Sequence, residues 1–268
     1  MNLCWLTDIH LNFLSEKNRF VFYRQIRQTK SDVIIISGDI ADAISLNLIL
    51  TEMADNLGKP ICFVLGNHDY YHGEIKKVRN EIRRLCAKRV LLYWLPSQKF
   101  VRINKRTLLV GQDGWADGRC GDYKKSRVVL NDSVLIYDLA QKVLQGKNQL
   151  LAKMQELADI DAKALHHNLM KNINADIKKI IILTHVPPFS GACWHEKNIS
   201  AWDWLPFFTS KIMGDVILSA AQDNPFVDFL VLCGHTHSNG IYCPLPNLSV
   251  KTGKAQYNNP QIQKIITM

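Results

Sequence analysis

Five polar motifs in this chain each begin where an apolar run ends. Asp8-Ile9-His10 follows residues 3–7, Gly38-Asp39 follows 33–37, and Gly66-Asn67-His68-Asp69 follows 62–65. His185 closes residues 180–184, and Gly234-His235-Thr236-His237 follows 229–233. Five of the nine histidines directly follow such runs, and only His72, His166, His167 and His195 lie elsewhere. Carboxylate, imidazole and amide oxygen recurring at strand ends are the parts of a metal site built on a sheet, since ligands of open α/β sheets bind outside the carboxyl ends of strands. Asp8-x-His10 sets two side chains on one side of an extended backbone. Glycine precedes the polar residue at Gly38, Gly66 and Gly234, where a sharp turn off a strand calls for positive φ. Taken singly, each motif also reads as an ordinary turn or a structural histidine. Five in series do not.

The elements that must position these motifs follow from the apolar pattern. Short β-rich runs near residues 2–7, 33–37, 61–65, 91–95 and 107–111 alternate with helical patterns near 16–29, 44–57 and 75–89, which predicts βαβ units in a layered α/β sheet. Residues 132–172 differ: Leu135, Leu139 and Val143, then Leu150, Met154 and Leu157, recur at helical spacing on either side of Gly146. That segment reads as two helices packed on the sheet, an insertion with the potential to act as a lid. Strands resume at 180–183 and 229–233 with a long Trp-rich loop between them, and two more are expected near 247–251 and 262–266. No repeat or linker divides the 268 residues, so residues 1–268 are taken as one domain.

Composition narrows the class. The apolar share of 47% and charged share of 21% are those of a globular protein, and no stretch has the length to span a bilayer. The first residues lack a basic leader or cleavage site, so a cytoplasmic location is expected. Seven cysteines without a Cys-x-x-Cys pair point to free thiols and away from a thiolate zinc site. The net charge of +9 is concentrated between Glu74 and Arg106, where eleven Lys/Arg meet two acids. On the helix expected there, Ile75, Val78, Ile82 and Leu85 form the apolar stripe, leaving Lys76, Lys77, Arg79, Arg83, Arg84 and Lys88 to cover the other faces. Such a run is ordinarily a solvated face; the sharper reading is a patch that attracts a polyanionic substrate.

Asp-x-His, Gly-Asp, Gly-Asn-His-Asp, a lone His and Gly-His-x-His, in this order and each after a strand, resemble the calcineurin-like metallophosphoesterase superfamily over residues 8 to 237. The resemblance implies a four-layer α/β/β/α sandwich of two mixed β-sheets flanked by helices, with two divalent metals at the strand ends. It implies that Asp8, His10, Asp39 and His237 hold the first metal, and that Asp39 bridges to a second completed by Asn67, His185 and His235. His68 would face the phosphate as general acid, and Asp42 of Gly38-Asp39-Ile40-Ala41-Asp42 would orient it. The implied reaction is hydrolysis of a phosphate ester by a hydroxide bridging the metals. The donor set itself, oxygen and imidazole without thiolate, suits Mn²⁺, Fe or Zn²⁺, and with two divalent cations the site keeps about +1 charge, which attracts a phosphate ester.

Ala43 stands where the superfamily's protein phosphatases carry a phosphate-binding Arg, which weakens that reading unless Arg119, Lys124, Lys125 or Arg127 supplies the charge. The loop 111–115 with Trp115 and Arg119, and the aromatic group Trp194, His195, Trp202 and Trp204, are candidates to line the substrate pocket; the aromatics equally serve to bury a long loop. A phosphodiesterase or nuclease acting on nucleotides or nucleic acid is favoured by the basic segment. A protein or small-metabolite phosphatase is the alternative, and a scaffold that has lost catalysis is disfavoured because every ligand position is filled. No membrane partner is expected. The sequence leaves the oligomeric state open.

Overall fold

The computed structural model describes all 268 residues. Its strands are β1 (Asn2–Leu6), β2 (Val33–Ser37), β3 (Ile61–Val64), β4 (Leu92–Trp94), β5 (Val101–Asn104), β6 (Thr107–Gly111), β7 (Lys179–Leu183), β8 (Trp194–His195), β9 (Asn198–Ile199), β10 (Asp228–Cys233), β11 (Gly240–Leu245), β12 (Leu248–Thr252) and β13 (Ile262–Thr267). One sheet has the order β13-β1-β2-β3-β4, the other β11-β12-β10-β7-β6-β5, and β8-β9 is a separate hairpin. The central pairs β1–β2–β3 and β6–β7–β10 are parallel, whereas β13, β11 and β5 run antiparallel at the edges. Both sheets are therefore mixed.

Alternation within each strand divides the core into three. Leu3, Trp5, Ile35, Val64 and Leu109 join Ile181, Leu183, Leu230 and Leu232 between the sheets. The opposite faces of the first sheet, through Cys4, Leu6, Ile34 and Phe63, pack under α1 (Glu16–Gln28), α2 (Leu46–Leu57) and α3 (Ile75–Lys88). Those of the second, through Val110, Ile182 and Val231, pack under helices yet to be described. Strands covered on both faces read as unbroken apolar runs rather than alternating ones, which is why they stood out in the sequence. The arrangement is the expected four-layer sandwich.

The middle segment holds three helices rather than two: α4 (Asp132–Leu135), α5 (Tyr137–Val143) and α6 (Lys147–Asn172). They are built into the body, because Leu139, Leu157 and Ala158 enter the first outer core and Leu165 and Leu169 the second. The expected Trp-rich loop also contains α7 (Leu205–Phe208) and α8 (Lys211–Asp223). Met213, Ile217, Ala220 and Ala221 of α8 cover the second sheet; their helical spacing was obscured by the prolines and tryptophans before them. Strands β5 and β11, both at edges with exposed positions, also went unread. No helix is long and apolar enough to cross a membrane.

Helix α3 forms as expected, with Ile75, Val78 and Ile82 buried, but one of its cations does not face solvent. Arg79 turns inward to Asp113 and Asp161, each at 3.0 Å, and to the Tyr70 hydroxyl at 2.9 Å. Burial would depress its guanidinium; Asp161, Tyr70 and Asp113 outweigh that and hold it above its ordinary value. Asp113 in turn accepts from Leu65 N and from the Trp94 indole, and Asp161 from Gly114 N. This cluster ties α3, the loop after β6 and α6 together beneath the strand ends. Removing one member of a buried ionic group leaves the others uncompensated, so Arg79→Met is predicted to cost about 3–5 kcal/mol. Urea unfolding checks this, and a loss below about 1 kcal/mol, the worth of an exposed pair, would refute it.

Candidate metal centre

The strands stop one or two residues before the polar motifs, and the backbone then turns abruptly. Asp8, His10, Asp39, His235 and His237 all have positive φ, between 41° and 70°. Half of the ten non-glycine residues in that region are thus gathered at one place, where the surrounding structure must compensate their strain. The pairing of Asp8 with His10, and of His235 with His237, comes from these left-handed turns and not from strand alternation. Among the three glycines, Gly38 has the expected positive φ of 93°. Gly66 and Gly234 do not; they are required because a Cβ would overlap the Asp39 and Asp8 carboxylates. Asp69 fixes the geometry from below, accepting from Ile40 N, Ala41 N and Gly66 N.

Asp8, His10, Asp39 and His237 each offer one ligand atom, all within 4.8 Å of one another. His10 Nε2 lies 3.5 Å from His237 Nε2 and 3.8 Å from Asp39 Oδ2, and His237 Nε2 lies 3.4 Å from Asp8 Oδ1. Burial would raise the Asp8 carboxyl, but the His237 hydrogen bond and the charge of His185 bring it down to about 2. Burial lowers His10 to about 4, against the pull of Asp39. An ionised carboxylate and a neutral imidazole are the forms a divalent cation requires.

A second group gathers on Asn67. Its Oδ1 is 2.9 Å from His185 Nε2 and 3.0 Å from His235 Nδ1, and His185 Nε2 is 3.4 Å from Asp39 Oδ1. The Asn67 amide cannot be reversed, because its Nδ2 donates to Asp132 at 2.7 Å and to the Tyr71 hydroxyl. His185 Nδ1 donates to Ser37 O and His235 Nε2 to Phe207 O. A neutral ring has one proton to give, so these outer bonds leave the inner nitrogens as lone pairs facing a carbonyl lone pair. The two rings differ in charge preference: burial would lower His185, yet Asp39 raises it to about 10, whereas burial and the neighbouring His185 lower His235. A divalent cation would satisfy both inner nitrogens, and each ring already has the carbonyl partner that fixes the tautomer of a ligating histidine. The donor set therefore fits two borderline or hard cations sharing Asp39.

The remaining expected residues are placed as follows. The ring of His68 stacks on Tyr71 at 4.2 Å between centroids and lies edge-on to His10 at 4.6 Å. Its backbone N–H donates to Asp39. Asp42, expected to orient His68, instead accepts from the backbone and hydroxyl of Ser45 at the entry to α2, and no hydrogen bond joins it to His68. The polar group near His68 Nε2 is the Tyr257 hydroxyl, at 3.5 Å. Trp115 and His195 line two adjoining cavities at the centre. Trp194 borders a groove on the outer side of His237. Arg119 is drawn away from both cavities by Asp117 and Asp159; of the four cations considered in place of the one missing at Ala43, Arg127 alone lines either of them. Trp204 lies tilted against Phe208, which meets His235 edge-on, while Trp202 is exposed.

Asp132 and Tyr257 gave no signal in the sequence. Asp132 opens a helix 65 residues from the amide it holds, and Tyr257 is a single aromatic in a loop beyond the last motif.

The family model for calcineurin-like phosphoesterases matches residues 1–239. No curated protein matches the chain in sequence. Among solved structures, a phosphopantetheinyl hydrolase from Mycobacterium tuberculosis superposes with a TM-score of 0.63 at 12% identity, over 96% of this chain and 89% of that one. A dimetal phosphatase from Danio rerio gives a TM-score of 0.54 at 14% identity, over 95% and 87%. At such identities the likeness is one of fold.

Proposed function

The chain belongs to the calcineurin-like phosphoesterase family and is a hydrolase of phosphate esters, and on that premise we propose that it acts on a small organic phosphate ester with two divalent cations shared through Asp39. The observation that carries this reading is the division of Asp39: Oδ2 faces His10, and Oδ1 faces His185. Asp8, His10, Asp39 and His237 would hold one cation, and Asp39, Asn67, His185 and His235 the other. Cations there would supply Lewis acidity to a phosphoryl oxygen and lower the pKa of water.

The protein's own groups do the rest. Ser37 and Phe207 carbonyls orient the His185 and His235 rings, and Asp132 with Tyr71 presents the Asn67 oxygen inward. His68, stacked on Tyr71, hands a proton to the leaving oxygen as general acid. Tyr257, rather than Asp42, stands beside the nitrogen that carries it. Because outer partners of metal ligands are worth about 10–100-fold in affinity, Asp132→Ala is predicted to weaken the second cation by that factor and spare the first. Stepwise metal titration checks it; equal loss at both positions would contradict the role.

A nucleotide or nucleic-acid substrate is the second reading, favoured by the aromatic group of His195, Trp204 and Phe208 beside His235. The basic helix gives it little support, since Arg84 and Lys88 line a groove against α2 that contains none of the metal-site residues. The test is a matrix of EDTA-treated protein reloaded with Mn²⁺, Fe²⁺, Zn²⁺ or Mg²⁺ against p-nitrophenyl phosphate, a bis-aryl diester, cyclic nucleotides and single-stranded DNA. Hydrolysis of the small esters with at least one metal is expected. Inertness toward all of them with every metal would sink the proposal.

A further inference from the structure

Beside the metal centre lies a cavity of about 260 Å³ between the loop after β6 and helices α4 to α6. It shares Asn67, Leu130, Asp132 and His235 with the cleft over the metal-binding groups, so the two spaces adjoin at these residues. Twelve of its twenty lining residues are hydrophobic, among them Trp115, Leu139, Leu150, Met154 and Phe207. We infer that it takes the organic group of the substrate, and that this group is an apolar chain attached to the phosphate. The inference rests on the phosphoesterase reading above and adds the class of ester.

The polar side chains of the wall decide the chemistry. Asn67 and Asp132 are bonded to each other, and His235 is held by Phe207 O. The Tyr123 hydroxyl donates to Lys147 O, Ser133 donates to Leu130 O, and Ser126 donates to Asp203 O. The Lys147 ammonium is held by the carbonyls of Lys124 and Ser126. The Arg127 guanidinium, the Trp115 indole N–H and Asp132 Oδ2 have no protein partner. A nucleobase or sugar placed there would lose its water and find three free side-chain groups along a mostly apolar wall, so part of its polar edge would go unpaired at a cost in free energy. An alkyl group has no such need. At about 30 Å³ per water-sized group, the cavity admits a chain of roughly nine heavy atoms.

The experiment is a length series of p-nitrophenyl alkyl phosphates, from methyl to dodecyl, on the metal-loaded protein. In parallel, alkylphosphonates of the same lengths are titrated calorimetrically. Specificity, kcat/KM, is expected to rise about three- to fourfold per methylene, then level off near eight or nine carbons, with phosphonate affinity following. Leu150→Trp and Met154→Trp, which fill the space, should bring the octyl-to-methyl ratio toward one. If octyl and methyl diesters react alike and the phosphonates bind alike, the inference fails while the phosphoesterase reading stands. If neither these diesters nor p-nitrophenyl phosphate is hydrolysed but phosphonate affinity climbs with length, the cavity assignment holds and the catalytic reading fails. A nucleoside diester that outpaces the octyl one would overturn the apolar assignment.

Discussion

Asp39→Asn is expected to lose both cations at once and to lower phosphoesterase activity by at least about 10³-fold, the scale of several kcal/mol of charge stabilisation. The substitution is nearly isosteric, and an amide oxygen still accepts the His68 backbone N–H. What it removes is the single negative charge that reaches both histidine groups. Asp39 is buried; burial works to raise its carboxyl, but the histidines around it hold it well below the ordinary carboxylate range. Loss of that charge leaves Asp8 as the one carboxylate among the seven ligand candidates. Elemental analysis of the purified variant checks the prediction, with circular dichroism to show that the fold persists. A variant that keeps two cations would mean that Asp39 does not bridge.

His68→Ala has the next largest effect and the opposite pattern. Metal content stays at the wild-type value, while kcat falls by about 10²–10⁴-fold, the worth of a positioned proton donor. The loss should depend on the leaving group. It is smallest for p-nitrophenolate, which departs without a proton, and largest for an alkoxide, which does not. Steady-state kinetics on an aryl and an alkyl monoester separate the two. A uniform loss across leaving groups, or loss of metal, would remove His68 from the acid role and leave it a packing partner of His10 and Tyr71.

Much of this was legible in the sequence because strands buried on both faces leave long apolar runs, and the polar residues that interrupt them stand out. The positions of Asp8, His10, Asp39, Asn67, His185, His235 and His237 could be marked for that reason, and the structure gathers them into two adjoining groups. Their local conformation was not legible. Five left-handed residues, at positions 8, 10, 39, 235 and 237, meet at the strand ends only in the finished fold, and sequence spacing carries no trace of their conformation. Asp42 misled because a Gly-Asp-x-x-Asp pattern serves equally well as the start of a helix, which is how Ser45 uses it. Arg79 misled for a related reason: its helix is basic on its outer faces, and only the placement of Asp113 and Asp161, 34 and 82 residues away, turns one cation inward. Asp132 and Tyr257 belong to segments whose positions depend on the finished fold.

The central claim is two cations held by seven side chains and shared through one carboxylate. The most direct measurement counts metal per chain while activity on a small phosphate ester is restored to chelator-treated protein by stepwise addition of Mn²⁺, Fe²⁺ or Zn²⁺. The account predicts two ions bound per chain, with hydrolysis appearing as the second position fills. One ion per chain at full activity, or hydrolysis that survives complete chelation, would contradict it.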